Sequence, residues 1–340
     1  MAAAVNQDLY QATLAAGATL KMRGKALLAE GTPDAIFEAC VYFHEAARAQ
    51  RTAVDALAPC PPVTRLASLA EVCWCLIEGR DPPRAMQSWG EVLRARAEVD
   101  EATTDAILSR VTERFDAMKI AWAKAIAASH AIQSIGARGA MDAIPASERT
   151  KAREEVRVLL ESYPGSASFW WMSYRLAEAD GDKKGAWDSL RRARRLEPHN
   201  PRFAAMSLLV ASWALTPSAA EKELAGVRPT IAGAEAEVCL MYALAELAVA
   251  RRESSGAKIR WLRARDAVNA GISRAATDSS YRNLRAVQLL VDDLLAGREP
   301  KIDILYVAGL TEAAVAAKPT SNVVDLLTLR ARRGELGEAA

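Results

Sequence analysis

The chain has 340 residues, with 44 basic against 42 acidic side chains, a formal charge of +2 and 51 % hydrophobic residues. So near-neutral a balance sets up no bulk field to recruit nucleic acid or an anionic membrane. Five cysteines scattered over so long a chain argue against a disulfide framework and for a reducing compartment, the cytosol. Arginine outnumbers lysine and alanine is abundant, a bias expected of a G+C-rich bacterial genome.

In chain order, Met1 to Tyr10 lacks the basic flank and apolar core of a signal peptide. Residues 5–58 read as one long helical hairpin, residues 62–97 as a second, and residues 101–133 as a long helix leading to a break at Gly136, Gly139 and Pro145. On the helix after Gly31, Ala39, Phe43 and Ala46 form a triplet spaced four and then three residues, and Ala85, Trp89 and Val92 repeat it after Gly79. That spacing puts three side chains on one stripe of a helix. Beyond the break the triplet recurs with a period of 34 residues: Ala152, Val156 and Leu159, then Ala186, Leu190 and Ala193, then Ala220, Leu224 and Val227. Such a period belongs to stacked helix hairpins, which bury one face against their neighbours and leave a long surface for a partner. Phe203 to Ala220 is long and uncharged, but Ser207, Ser212, Thr216 and Pro217 interrupt it, so a buried hairpin is expected there rather than a membrane span.

The clearest unit runs from Phe169 to Pro198. Trp170 and Leu176 lie on a first helix, Gly181 at the turn, and Ala186, Leu190 and Ala193 on a second helix that Pro198 stops, 34 residues after Pro164. Trp170, Gly181, Ala186, Ala193 and Pro198 resemble the tetratricopeptide-repeat pattern, with Leu190 in place of its aromatic and Tyr174 in place of a small residue. A looser unit holds Ala257, Trp261 and Ala264, and Leu326, Gly334 and Ala339 resemble a last, unfinished hairpin. The resemblance implies an all-α fold of stacked antiparallel hairpins in a right-handed solenoid. The division expected is a helical region with degenerate hairpins over 1–134, a linker over 135–147 and a repeat domain over 148–340.

Chemistry-bearing patterns point away from catalysis. His44, His130 and His199 form no paired-ligand motif on a helix face. Cys73 and Cys75, two residues apart, point about 200 degrees from one another on a helix and do not share an ion. Gly17, Gly24 and Lys25 lack the spacing of a phosphate loop. His44 beside Glu45 reads as a structural histidine, and Arg191, Arg192, Arg194 and Arg195 as a solvated helix face. No enzyme, metal or cofactor is expected. The segment Arg251 to Arg285, with nine basic residues, is the best place for an anionic ligand, at Lys258, Arg260, Arg263 and Arg265.

The family resemblance further implies a concave groove lined by first helices, which places Trp171, Arg175 and Glu178, then Arg202 and Trp213, then Tyr242 and Glu246 against a bound peptide. Aromatic and arginine side chains suit that role. Chaperone-binding members use Lys and Asn where this chain has Trp171 and Arg175, so a chaperone-tail receptor is not expected. The leading expectation is an adaptor or scaffold that binds a partner protein or peptide. A structural subunit of a larger assembly is the alternative, and a nucleic-acid-associated protein using residues 251–285 ranks behind both.

Overall fold

The computed structural model describes residues 2–57, 59–127, 145–253, 255–276 and 278–300. Every element among them is helical, so the fold is all-α. Helix starts are written locally. Pro33 and Pro217 open helices at the position where a missing N–H costs nothing, and the preceding Thr32 and Thr216 side chains accept from the Ala35 and Ala219 amides. Asp81 and Asp182 cap in the same way, accepting from the Arg84 and Gly185 amides. Contacts gather the chain into two compact units, Met1–Gly181 and Asp182–Ala340.

In the first unit α1 (Ala2–Glu30) packs along α2 (Pro33–Ala56), with Gly31 turning the chain at φ 71°. Gly17 and Gly24 face α2: a Cβ on Gly24 would stand 3.0 Å from the Phe43 ring, so a side chain there would have to push the ring aside. Next, α3 (Pro62–Glu78), α4 (Pro82–Arg96) and α5 (Glu101–Ala127) close around Leu66, Leu69, Cys73, Val92, Leu108, Val111 and Phe115. Trp89 stacks on Phe115 at 4.5 Å. The last two helices of this unit are α6 (Ala146–Ser162) and α7 (Ala167–Ala179), joined by Leu176 against Ala152 and Val156.

Trp170 has a role that its repeat position does not reveal. Its ring meets Phe37 of α2 edge-on at 5.8 Å and its Nε1 donates to the Pro164 carbonyl at 2.7 Å. One residue earlier, Phe169 meets Trp122 of α5 at 5.3 Å. Both rings therefore fasten α7 to the amino-terminal helices. The turn between α6 and α7 is fastened too, because a Cβ on Gly165 would lie 1.6 Å from the Gly79 carbonyl oxygen.

The second unit runs through α8 (Lys183–Leu196), α9 (Pro201–Ala214), α10 (Pro217–Val227), a 3-10 turn (Arg228–Gly233), α11 (Ala236–Ala250), α12 (Ala257–Ile272) and α13 (Asp278–Leu295). At its centre is α11, buried on all sides from Val238 to Ala250 apart from Met241. A helix apolar all round has no outer face and must be enclosed. Leu208, Leu224, Val268, Leu284 and Val291 from the neighbouring helices enclose it.

The 34-residue echo corresponds to buried stripes. Ala152, Val156 and Leu159 on α6, Ala186, Leu190 and Ala193 on α8, and Ala220 and Leu224 on α10 are buried, with Val227 half-buried. In the earlier triplets Ala39, Phe43, Ala46, Ala85 and Val92 are buried and Trp89 half-buried. Gly136, Gly139, most of the expected 135–147 linker, Leu326, Gly334 and Ala339 lie outside the described residues. Among those described, no helix is long and apolar enough to cross a membrane.

Gly165→Ala tests the close approach. A methyl group there overlaps the Gly79 backbone, and backbone cannot rotate aside as a side chain does. The variant is expected to lose about 3 kcal/mol, at the upper end for overpacking, read from the urea midpoint. An unchanged midpoint would place the turn elsewhere.

Candidate functional site

The residues singled out from the sequence fall in both units, and three of them, Tyr242, Glu246 and Arg260, are buried. Trp171, Arg175 and Glu178 share the part of α7 that is left half-buried. Trp171 tilts over Tyr174 with centroids 4.9 Å apart, the Tyr174 hydroxyl donates to Glu178 Oε1 at 2.5 Å, and Arg175 pairs with Glu178 at 3.3 Å. Two turns of helix thus present an aromatic ring, a cation and an anion already ordered against each other. Arg202 has its side chain outside the described set, and Trp213 is half-buried on α9.

Tyr242 and Glu246, expected on a groove face, lie instead inside the second unit, at 1 % and 0 % exposure. Arg260, expected at an anionic-ligand site, is 5 % exposed. The physical reason is the same for all: a carboxylate in the middle of α11 cannot keep its charge in an apolar core unless donors are brought to it. Arg260 Nη1 donates to Glu246 Oε2 at 2.7 Å, and Tyr242 donates to Glu246 Oε1 at 2.6 Å. Arg228 approaches Glu246 Oε1 at 3.3 Å and donates through Nε to the Tyr242 oxygen at 3.1 Å.

The network continues outward. Arg260 pairs with Glu253 at 2.6 Å and with Glu221 at 2.8 Å, while Glu221 also accepts from Arg228 at 2.7 Å and from Arg263 at 3.5 Å. Arg228, Arg260 and Arg263 therefore balance Glu221, Glu246 and Glu253, which leaves a neutral cluster. Burial alone would raise the Glu221 pKa, but hydrogen bonds from Arg228 and Arg260 outweigh it and hold the carboxyl below its usual range. Glu253 is lowered chiefly by its hydrogen bond from Arg260. The Tyr242 phenol is pushed up, first by burial and then by the Glu246 carboxylate that accepts its proton in a hydrogen bond. Of the basic residues expected at an anion site, Lys258 is exposed, Arg265 half-buried, and Arg263 turned to Glu221. They form no shared cradle.

Glu221, Arg228 and Glu253 were not anticipated. The signal that points to them is Glu246 itself, the one charged residue between Val238 and Ala250, since a lone acid in an apolar run implies partners from elsewhere. Likewise Arg194, from the cluster read as solvated, pairs with Glu223 at 3.3 Å and donates to the Ser207 hydroxyl. Arg191 is exposed beside Asp188.

His44 is buried on α2. Its Nδ1 lies 3.2 Å from Arg84 Nη1 and its Nε2 3.6 Å from Asp81 Oδ2. Burial, and then the charges of Arg84 and Arg48, push its pKa down to about 3. The ring is neutral and accepts from Arg84, a structural rather than basic role at neutral pH. All five cysteines are free thiols, and burial pushes Cys40 and Cys73 up to about 12, far from a reactive thiolate. Among the described residues no three His, Cys, Asp or Glu side chains gather to hold a metal. Comparison with protein families, with curated proteins and with solved structures finds no match for this chain.

Two outcomes are expected. Arg260→Met strands the Glu246 carboxylate in the core, and the loss should reach about 3 kcal/mol; Arg260→Met with Glu246→Leu removes both charges and should recover part of it. Urea unfolding of the four proteins in this cycle measures the coupling, and additive losses would mean the pair is not coupled. The second concerns pH. Unfolded His44 takes up a proton near pH 6.5 and the folded ring only near pH 3, so its contribution is whole above pH 6.5 and is lost as pH falls. Between pH 6.5 and 5.0 that amounts to about 2 kcal/mol, and His44→Gln should flatten the stability profile in that window. Parallel profiles would contradict a neutral buried ring.

Proposed function

We propose that this chain is a non-catalytic adaptor of the cytosol, built of tetratricopeptide-like helix hairpins, that binds a segment of a partner protein through the α7 face bearing Trp171, Arg175 and Glu178. The observation that carries this reading is how α7 is mounted. Phe169 and Trp170 bolt one side of it to Trp122 and Phe37, Leu176 packs on Ala152 and Val156, and the remaining side leaves Trp171 and Arg175 half-buried. A partly exposed tryptophan beside an arginine and a glutamate, on a helix fastened by these contacts, offers large contact area and directional bonds with little ordering cost on binding. The buried triplets on α6, α8 and α10 support the repeat reading, because each helix places its small and branched residues on the stripe that a hairpin stack uses. The free cysteines suit a reducing compartment.

Affinity capture with the wild-type chain beside Trp171→Ala, whose folding is first checked by its unfolding midpoint, tests this reading. A protein held by wild type should be purified and titrated. Its dissociation constant is expected to rise at least about thirtyfold with the variant, the effect of losing a central aromatic anchor. Equal affinity for both would move the binding surface away from α7.

A further inference from the structure

A second site lies elsewhere in the first unit. Between α2, α3 and α4 there is a cleft of about 210 Å³, walled by Arg48, Arg51, Arg84, Gln87 and Ser88 over an apolar floor of Ala47, Val72 and Leu76. We infer that this cleft binds a phosphate-class oxyanion, either the free ion or the phosphoryl group of a small metabolite.

Three guanidiniums from two helices share one small cavity. Arginine presents planar forks of N–H donors that match tetrahedral and planar oxyanions, and several forks around one point select a multivalent anion over a monovalent one. Arg84 is held from behind by His44 Nδ1 at 3.2 Å, a contact that positions the guanidinium at the cleft wall. Arg51 makes a rim pair with Glu91 at 2.8 Å, and Arg48 stands 4.0 Å from Glu45. Pairs as exposed as Arg51 with Glu91 are weak, so a divalent oxyanion entering the cleft competes with them readily.

Ser88 is the independent indication. It is 2 % exposed and lines the cleft, and its Oγ has no hydrogen-bond partner. A buried hydroxyl without a partner in a native fold calls for an explanation, and an oxyanion oxygen accepting from Ser88 supplies one. Gln87, exposed at the rim, adds an amide donor. Size decides the class of ligand. Pockets for drug-sized molecules span roughly 300–1,000 Å³, so this cleft takes one oxyanion group, and any organic remainder projects past the exposed Arg51 and Gln87. The site is separate from the α7 face and does not rest on the adaptor reading.

The test is isothermal titration of the full chain with inorganic phosphate and, in parallel, with glycerol 3-phosphate, at constant ionic strength held by chloride. Saturable single-site binding is expected with a dissociation constant at or below about 1 mM, with a matching rise in unfolding temperature. Arg48→Gln with Arg51→Gln should weaken it at least tenfold. Ser88→Ala should weaken it severalfold while leaving the ligand-free unfolding midpoint unchanged, since that hydroxyl loses no partner within the fold. Tighter binding of glycerol 3-phosphate assigns the site to a phosphorylated metabolite; tighter binding of inorganic phosphate assigns it to the free ion. No saturable binding of either, or binding unaltered in both variants, overturns the proposal.

Discussion

The second unit depends on the Glu246 carboxylate, which has no exposure and stands in the middle of its most buried helix. An ionised carboxylate in such a place is tolerated only if nearly every lone pair is used. Meeting that demand draws Arg228 from the 3-10 turn and Arg260 from α12 onto α11. Those arginines in turn require Glu221 of α10 and Glu253 of the loop before α12. The helix contacts of the second unit are thereby given a register as well as a hydrophobic driving force. Aliphatic packing alone tolerates sliding by a turn, whereas bonds at 2.6 to 2.8 Å between fixed atoms do not.

The first unit reaches the same end by steric means. Gly24 against Phe43 and Gly165 against Gly79 are places where backbone meets ring or backbone at contact distance. Around that second contact His44, Asp81 and Arg84 form a polar knot inside the fold. The knot has a consequence for chemistry, since fixing Arg84 from within sets one wall of the cleft that Arg48, Arg51 and Ser88 complete. The α7 face gains its rigidity in a comparable way, from Phe169 and Trp170 pointing inward. Two surfaces with different chemistry, one aromatic and mixed in charge, the other cationic, are each held by buried contacts behind them.

Several of these features are legible in the amino-acid sequence. Triplets such as Ala186, Leu190 and Ala193 become buried stripes because the helical period is a local property, and Asp182 or Thr216 ahead of a helix is a start signal that needs no distant partner. His44 as a structural histidine and Cys73 and Cys75 as packed thiols follow from the absence of ligand spacing. The roles of Tyr242 and Arg260 were not legible. Both look like surface residues by type, and only the enclosure of α11 by its neighbours converts a groove tyrosine and a ligand arginine into parts of a buried network. Trp170 shows the converse: its repeat position is evident from spacing, but its partner Phe37 lies on α2, far away in the chain.

What the sequence by itself determined is the helical character of the chain, turns such as those at Gly31 and Gly181, and the stripes that the spaced triplets bury, because periodicity, capping and proline act over a few residues. Only the tertiary structure decided which charges are enclosed within the fold and which line a cavity. Arg260 and Arg84 are alike as residues, yet one is closed off by carboxylates from residues 221, 246 and 253 while the other faces a cavity. That difference depends on where helices distant in sequence converge, and burial is what turns a guanidinium from a ligand donor into an internal counterion.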